Sequence, residues 1–241
     1  LQRDPGTDVV GFYVEGLKDG RRLLEAARGA EKPVVVLKAG RTGAGLEAAK
    51  SHTGALAGRW DVFRGVVRQL GWGMADGPED FLLALKARSL WPGGVSKVAV
   101  VTCGGGFGVM ASDALVKEGL QLAEFSKETR EKMWEEFPAR VSVGNPVDLT
   151  GDADPGRYRR ALELVSADPS VDAVMVIVLM QLPRLDEGVM DVFRDFSTGD
   201  KPLVVVSPPG GYASTVNELM RDLLLVSSPE KAARVLSAMK R

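Results

Sequence analysis

The sequence is short of several things, and each shortage removes a class of explanation. A single cysteine, Cys103, stands among 241 residues, so no internal disulfide can form, and a lone thiol fits the reducing conditions of a cytoplasm. Charge nearly cancels: 31 Lys and Arg against 32 Asp and Glu leave a net of −1. With no basic run and no aromatic-interleaved basic patch, neither nucleic acid nor an anionic membrane would attract this chain in general. Long hydrophobic runs are missing too. The longest, Ala173 to Met180, falls far short of the roughly 20 residues that a membrane span needs. No signal peptide is visible, since Leu1 is followed at once by polar and charged residues. Histidine is as scarce as cysteine, and His52 is the only one.

What is present is ordinary globular material, 45% hydrophobic and 26% charged, enough for a core. Strand-like and helix-like stretches alternate. Asp8 to Glu15 reads as a strand closed by Gly16, and Lys18 to Ala30 as a helix. Pro33 to Leu37 is a β-branched run of the kind buried on both faces of a sheet. Gly40, Gly43 and Gly45 then break regularity, so His52 is expected in a glycine-bordered loop that a helix from Ala55 to Leu70 follows. Trp60, Phe63, Val66, Val67 and Leu70 form that helix's apolar stripe. After a possible strand at Trp72 to Ala75 and a helix from Asp80 to Leu90, Trp91-Pro92-Gly93-Gly94 reads as a linker.

The alternation restarts with strands at Lys97 to Thr102, Leu120 to Ala123, Ala173 to Leu179 and Leu203 to Val206. Helices run from about Gly108 to Lys117, from Ser126, from Pro155 to Ala167, near Asp186 to Phe196 and from Pro229 to Lys240. Such alternation means βαβ units, an α/β class and parallel sheets. Two domains are expected, residues 1–93 and 94–241. The first has few strands for a sheet buried on both faces, so further strands are expected ahead of Leu1, with the chain a piece of a longer protein.

Three constellations could carry chemistry. Glu15 closes one strand and His52 lies beyond the end of the next, and a right-handed crossover brings both to one sheet edge. A carboxylate accepting from one ring nitrogen would leave the other free as a nucleophile. The second constellation is Gly104-Gly105-Gly106-Phe107-Gly108, between a strand and a helix. Amides at a helix N-terminus make an anion site, and glycines let a phosphate approach the backbone. Neither the Gly-Lys-Ser/Thr ending of a P-loop nor the acidic partner of a dinucleotide fingerprint is present. Cys103 borders this turn but has no second histidine as its base, so it reads as a packed bystander. The third is Gly144 to Asp154, with Asp148, Asp152 and Asp154. Its spacing is not that of a calcium loop, Asp154 before Pro155 reads as a helix cap, and no metal is expected.

Taken together, EG…KPVVVLKAGRTGAGLEAAKSHTGALAG, VAVVTCGGGFGVMASDAL and VGNPVDLTGDAD resemble the ADP-forming (NDP-forming) acyl-CoA synthetases of the acetate–CoA ligase type, relatives of succinyl-CoA synthetase. The resemblance spans essentially the whole chain, and SHTGALAG is its most specific part. It implies two flavodoxin-like, succinyl-CoA synthetase-like domains. The first would be the C-terminal part of a phosphohistidine-loop domain and the second a CoA-ligase domain. His52 would be the residue phosphorylated during turnover, Glu15 the group orienting it, and Gly104 to Gly108 a holder of the phosphoryl group. A swinging loop is implied, which Gly40, Gly43, Gly45 and Gly54 would permit, with Lys38, Arg41 and Lys50 as possible cationic helpers.

The implied reaction is acyl-CoA + ADP + phosphate ⇌ carboxylic acid + CoA + ATP. No covalently bound cofactor is implied; CoA, ADP or ATP with Mg, phosphate and a small carboxylic acid are substrates whose sites lie mostly outside this chain. Implied partners are a CoA-binding Rossmann domain and an ATP-grasp domain or subunit, in an oligomer, with the isolated chain inactive. A similar region also serves as an acyl-CoA-responsive regulatory part of Gcn5-related protein lysine acetyltransferases. The retention of His52 and Glu15 argues for the ligase.

Overall fold

The computed structural model describes residues 1–17, 19–53, 58–210 and 222–240, without the side chains of residues 50, 52 and 53. The chain divides into two units, Leu1–Gly93 with Ala238–Arg241, and Gly94–Ser237.

The first unit contains β1 (Val10–Val14), α1 (Gly20–Ala27), β2 (Val34–Lys38), α2 (Gly43–Thr53), α3 (Trp60–Gln69), β3 (Gly73–Ala75) and α4 (Pro78–Leu90). Its described strands form a parallel sheet in the order β1-β2-β3, with Val10 opposite Val34 and Val36 opposite Met74. Successive side chains of a strand point to opposite faces, and β2 uses both. Val34 and Val36 join Val10, Phe63 and Val67 on one side, while Val35 joins Ala75, Ala84 and Ala238 on the other. Phe63 and Val67, four apart, are the buried stripe of α3. The last residues of the chain return here. Arg88 is buried and donates from Nε to the Ala238 carbonyl at 3.2 Å and from Nη2 to that of Lys240 at 3.3 Å. Gly73 is obligatory at this seam, because a Cβ there would lie 2.2 Å from the Ala238 carbonyl oxygen.

One expectation is corrected. The segment read as a glycine-broken loop around His52 is helical from Gly43 to Thr53. Gly43 and Gly45 do not break it, because both sit in its first turn. There the Gly45 amide donates to the Thr42 hydroxyl at 3.2 Å and the Leu46 amide to the Thr42 carbonyl at 2.8 Å. The strong helix formers Leu46, Glu47, Ala48, Ala49 and Lys50 then propagate the turn. Gly40, at φ +68°, makes the sharp exit from β2. Gly54 and residues 55–57, where the next helix was expected to start, lie outside the described residues; that helix is α3, from Trp60.

The second unit contains β4 (Lys97–Thr102), α5 (Gly105–Lys117), β5 (Gln121–Leu122), α6 (Lys127–Glu136), β6 (Val147–Asp148), α7 (Pro155–Ala167), β7 (Ala173–Ile177), α8 (Gly188–Ser197), β8 (Leu203–Val206), β9 (Leu225–Val226) and α9 (Pro229–Ser237). All pairings are parallel, in the order β5-β4-β7-β8-β9, with β6 also on β4. This is the flavodoxin-like 2-1-3-4-5 arrangement. Every residue of β7 is buried, as a central strand covered on both faces requires. The expected cap is present: the Asp154 carboxylate accepts from the Arg157 amide at 2.8 Å. The short strands β5 and β6 occupy the same edge of β4, and the Asn145 side chain bonds that edge between them. Its Oδ1 accepts from the Val100 amide at 2.9 Å, and Nδ2 donates to the carbonyls of Val98 and Ala123 at 2.8 and 3.0 Å.

Candidate functional site

Parallel strands end in carbonyls and unpaired polar groups at one edge, which is where ligand sites of such sheets collect. In the first unit that edge is charged. Glu15 follows β1, Lys38 ends β2, and Asp76 follows β3. Lys38 is buried, and its ammonium donates to the carbonyls of Glu15, at 2.7 Å, and of Ala39. It also stands 6.0 Å from the centre of the Phe63 ring. Burial, followed by repulsion from Arg41, pulls its pKa below the ordinary lysine value, while Glu15 pushes back.

Glu15 is thereby fixed twice. Its carbonyl is held by Lys38, and its carboxylate accepts from the Tyr13 hydroxyl at 3.1 Å. That bond is the main reason the Tyr13 pKa is raised. Glu15 is at the strand end that the sequence predicted. His52 is the penultimate residue of α2, its side chain outside the described residues, so the expected Glu15–imidazole contact belongs to the proposal below. The Lys50 side chain is outside them as well.

Arg41 takes a part that the sequence did not suggest. Rather than facing outward as a cationic helper, its guanidinium is engaged on four sides. Nε donates to the Lys38 carbonyl at 2.8 Å, Nη1 meets Asp76 Oδ1 at 2.6 Å and Nη2 donates to the Ala75 carbonyl. The guanidinium carbon lies 4.6 Å from the centre of the Trp60 ring. Beside this cluster, a hollow of about 180 Å³ is bordered by Leu17, Leu23, Leu24, Val62, Phe63 and Lys38.

In the second unit, the glycine turn sits where expected, Gly104 as N-cap of α5 directly after β4. First-turn amides of a helix have no partner within it and carry the positive end of its dipole. Close packing accounts for several of the glycines. A Cβ on Gly104 would lie 3.0 Å from Leu179 Cδ1, and one on Gly108 would lie 3.2 Å from both Pro146 Cβ and Thr102 Cγ2. At Gly105 it would meet Asp148 Oδ2 at 2.8 Å, so a carboxylate already stands against this helix end. Gly106 alone among the four glycines faces open space. Cys103 is buried, and burial pushes its thiol pKa up, which keeps it protonated and inert at neutral pH. The three aspartates of the following loop have separate tasks. Asp148 accepts from the Thr150 amide at 2.9 Å, Asp154 caps α7, and Asp152 pairs with Arg140 and Arg157. The Arg140, Arg157 and Thr150 hydrogen bonds hold the Asp152 carboxyl well below the usual carboxylate range. Among the described residues no group of three His, Cys, Asp or Glu is placed to hold a metal ion.

Two domain families divide the chain in the same order. Residues 1–88 match the succinyl-CoA ligase like flavodoxin domain, and residues 98–210 match the ligase-CoA domain. The chain thus carries two domains of the succinyl-CoA ligase type in succession, and it is similar to ADP-forming acyl-CoA synthetases. Acetate–CoA ligase [ADP-forming] I of Archaeoglobus fulgidus is 42% identical over 184 residues, covering 74% of this chain and 26% of that protein. Subunit alpha of acetate–CoA ligase [ADP-forming] I from Pyrococcus furiosus is 36% identical over 98% of this chain and 53% of its own length. Among solved structures, acetyl-coenzyme A synthetase 1 of Ca. Korarchaeum cryptofilum, in complex with phosphate and ADP, superposes with a TM-score of 0.87 at 31% identity. It is matched over 99% of this chain and 53% of that one. The chain thus spans a quarter to a half of these synthetases.

Proposed function

We propose that this chain is the phosphate-relaying part of an ADP-forming acyl-CoA synthetase, with His52 as the residue that carries the phosphoryl group. In the direction of ATP formation, phosphate displaces CoA from acyl-CoA and leaves an acyl phosphate. The His52 imidazole nitrogen attacks the phosphorus, the acyl–oxygen–phosphorus bond breaks, and the carboxylate leaves. ADP then takes the phosphoryl group from the imidazole, giving ATP and the free histidine. A neutral imidazole is nucleophilic near pH 7, and its phosphoramidate keeps a high transfer potential. One histidine can therefore serve two chemical partners.

The observation that carries this reading is the built edge beneath the histidine's segment. Glu15, held by Tyr13 and Lys38, closes β1, and the helix bearing His52 follows β2. Glu15 orients the imidazole through one ring nitrogen and leaves the other to react. The Phe107 and Gly108 amides already donate to the Gly104 carbonyl, at 3.0 and 3.3 Å. The Gly105 and Gly106 amides at the start of α5 are therefore the ones that offer the phosphoryl group a positive helix end, with Gly106 as the open approach. Because α2 is helical, His52 is presented from the last turn of a helix rather than from a slack loop.

Partners follow from what the reaction needs beyond these residues: a CoA-binding domain and an ATP-grasp domain or subunit in an oligomer, supplying the sites for CoA, the acid, and ADP or ATP with Mg. The names of the similar synthetases favour this relay over a regulatory module of a lysine acetyltransferase. The cytoplasm is the proposed compartment, in keeping with the free thiol of Cys103. The test is incubation of the full-length enzyme with ATP carrying a radiolabelled terminal phosphate. Acid-labile, base-stable label on wild type and none on His52→Ala is expected; a His52→Ala enzyme that labels and turns over would end the proposal.

A further inference from the structure

The Arg41 contacts join places far apart in sequence. Arg41 stands just before α2 and Trp60 opens α3, so the two bracket the segment that carries His52. The guanidinium lies over the Trp60 ring at 4.6 Å. The same group is bonded to the end of β2 through the Lys38 carbonyl and to the end of β3 through Ala75 and Asp76. Its side chain is only 22% exposed. The planar fork of an arginine suits this task, since it holds several acceptors in one fixed geometry while its face rests on an aromatic ring.

From this geometry we infer that Arg41 is a positioning residue: it clamps the entry and the exit of the His52 segment to the carboxyl ends of β2 and β3, and so sets where the imidazole is presented. The inference rests on the relay reading of His52. It differs from the role of a phosphate ligand, because the Arg41 nitrogens already bond two carbonyls and a carboxylate. Lys38 extends the same frame: its carbonyl accepts from Arg41 and its ammonium donates to the Glu15 carbonyl. The orienting carboxylate and the root of the histidine segment thus share one hydrogen-bonded chain. Misplacing a reacting group by about 1 Å costs on the order of 100-fold in rate.

A clamp at the root and a phosphate ligand give different kinetics. A ligand at either end of the phosphate's path affects one half-reaction, whereas a clamp affects both, because the same histidine must reach both partners. Arg41→Ala and Arg41→Lys are therefore to be made in the full-length enzyme with its companion domains, and phosphorylation and dephosphorylation of His52 timed separately by rapid quench. Expected is a fall of about 100-fold in both half-reactions for Arg41→Ala, with KM values for nucleotide and CoA within about twofold of wild type. Arg41→Lys should recover little, since an ammonium cannot reproduce the fork.

Unchanged rates with a lowered melting temperature would overturn the inference, as would a loss confined to one half-reaction. Should Arg41→Ala not fold, Trp60→Leu keeps the three hydrogen-bonded contacts and loses only the ring. A drop of about tenfold in both half-reactions is then expected, and wild-type rates would overturn the clamp. A His52→Ala enzyme that still turns over defeats the relay itself. Normal Arg41 variants in an enzyme that needs His52 defeat only the clamp.

Discussion

The two units solve the same problem, a parallel sheet with helices on it, with different materials. In the second unit apolar burial dominates. β7 is buried at every position, and Tyr158, Leu162, Val189 and Phe193 close over one face of the sheet, with the Tyr158 and Phe193 rings edge-to-face at 5.6 Å. In the first unit the described core is thin. Val10, Val34, Val36, Phe63 and Val67 fill one side of the sheet, and α1 has no buried residue at all. What the first unit has instead is a polar edge, where Lys38, Arg41, Glu15 and Asp76 are tied to strand-end carbonyls and to each other. The well-filled unit makes its glycine turn by close packing, and the thin one carries the histidine on a frame of hydrogen bonds. Under the proposed relay, the side chain that must serve two partners sits on the less densely filled unit, held by hydrogen bonds rather than by apolar packing.

Four substitutions sharpen this contrast. Gly73→Ala is expected to be the most damaging, because its methyl would lie 2.2 Å from a backbone oxygen that has no rotamer with which to yield. A loss of about 3 kcal/mol is expected in urea unfolding. A near-neutral result would show that the seam between β3 and the chain end is slack.

Asp168 in the second unit comes next. It is buried and accepts from the amides of Ser126 and Ser170 at 2.8 Å each. Burial alone would raise its pKa, but the hydrogen bonds from Ser170, Thr129 and Ser126 outweigh it and bring it from 3.8 down to about 2. A depressed carboxylate contributes stability that is present above its unfolded pKa and is lost as pH falls through the folded one. The window is therefore from about pH 4 down to about pH 2. Asp168→Asn should lower stability at neutral pH by roughly 2 kcal/mol and flatten the acid limb of the unfolding curve. An unchanged acid limb would assign that limb to other carboxylates.

Asn145→Ala should be milder, about 1–2 kcal/mol, because it removes the side-chain bonds to Val100, Val98 and Ala123 from a half-buried site. Amide exchange at Val100 should quicken selectively; unaltered exchange there would mean that β4 does not rely on this side chain. Gly106→Ala is the smallest for stability and the most telling for function. Its position is open, so melting should be unchanged, whereas transfer should fall about tenfold if a phosphoryl group approaches these amides. Full activity would place the phosphoryl-binding amides elsewhere.

Much of the fold was legible in the sequence because apolar runs and caps are local signals. The strand expected at Ala173 to Leu179 is β7, ending two residues earlier at Ile177, and the Asp154-Pro155 start of α7 is where the sequence puts it. β6 and β9 were missed because two residues carry no periodicity, and their pairing is set by neighbours distant in sequence. α2 is hidden in the sequence because Gly43 and Gly45 look like breakers, while the Thr42 cap and the run Leu46 to Lys50 carry the helix. At the site, Glu15 could be placed from its strand. The roles of Lys38 and Arg41 could not, because their partners are mostly backbone carbonyls, which a sequence does not display. The remaining signal was stereochemical: a cation directly after a buried parallel strand has strand-end carbonyls within reach.

Labelling from both sides is the decisive test of whether one histidine meets two chemical partners. The full-length enzyme would be supplied with acyl-CoA and radiolabelled phosphate in one experiment and with terminally labelled ATP in another, and the labelled peptide mapped. Label on His52 is expected from both sources, each discharged by the opposite partner, ADP or carboxylic acid. Label from only one source, or label on any residue other than His52, would contradict the relay.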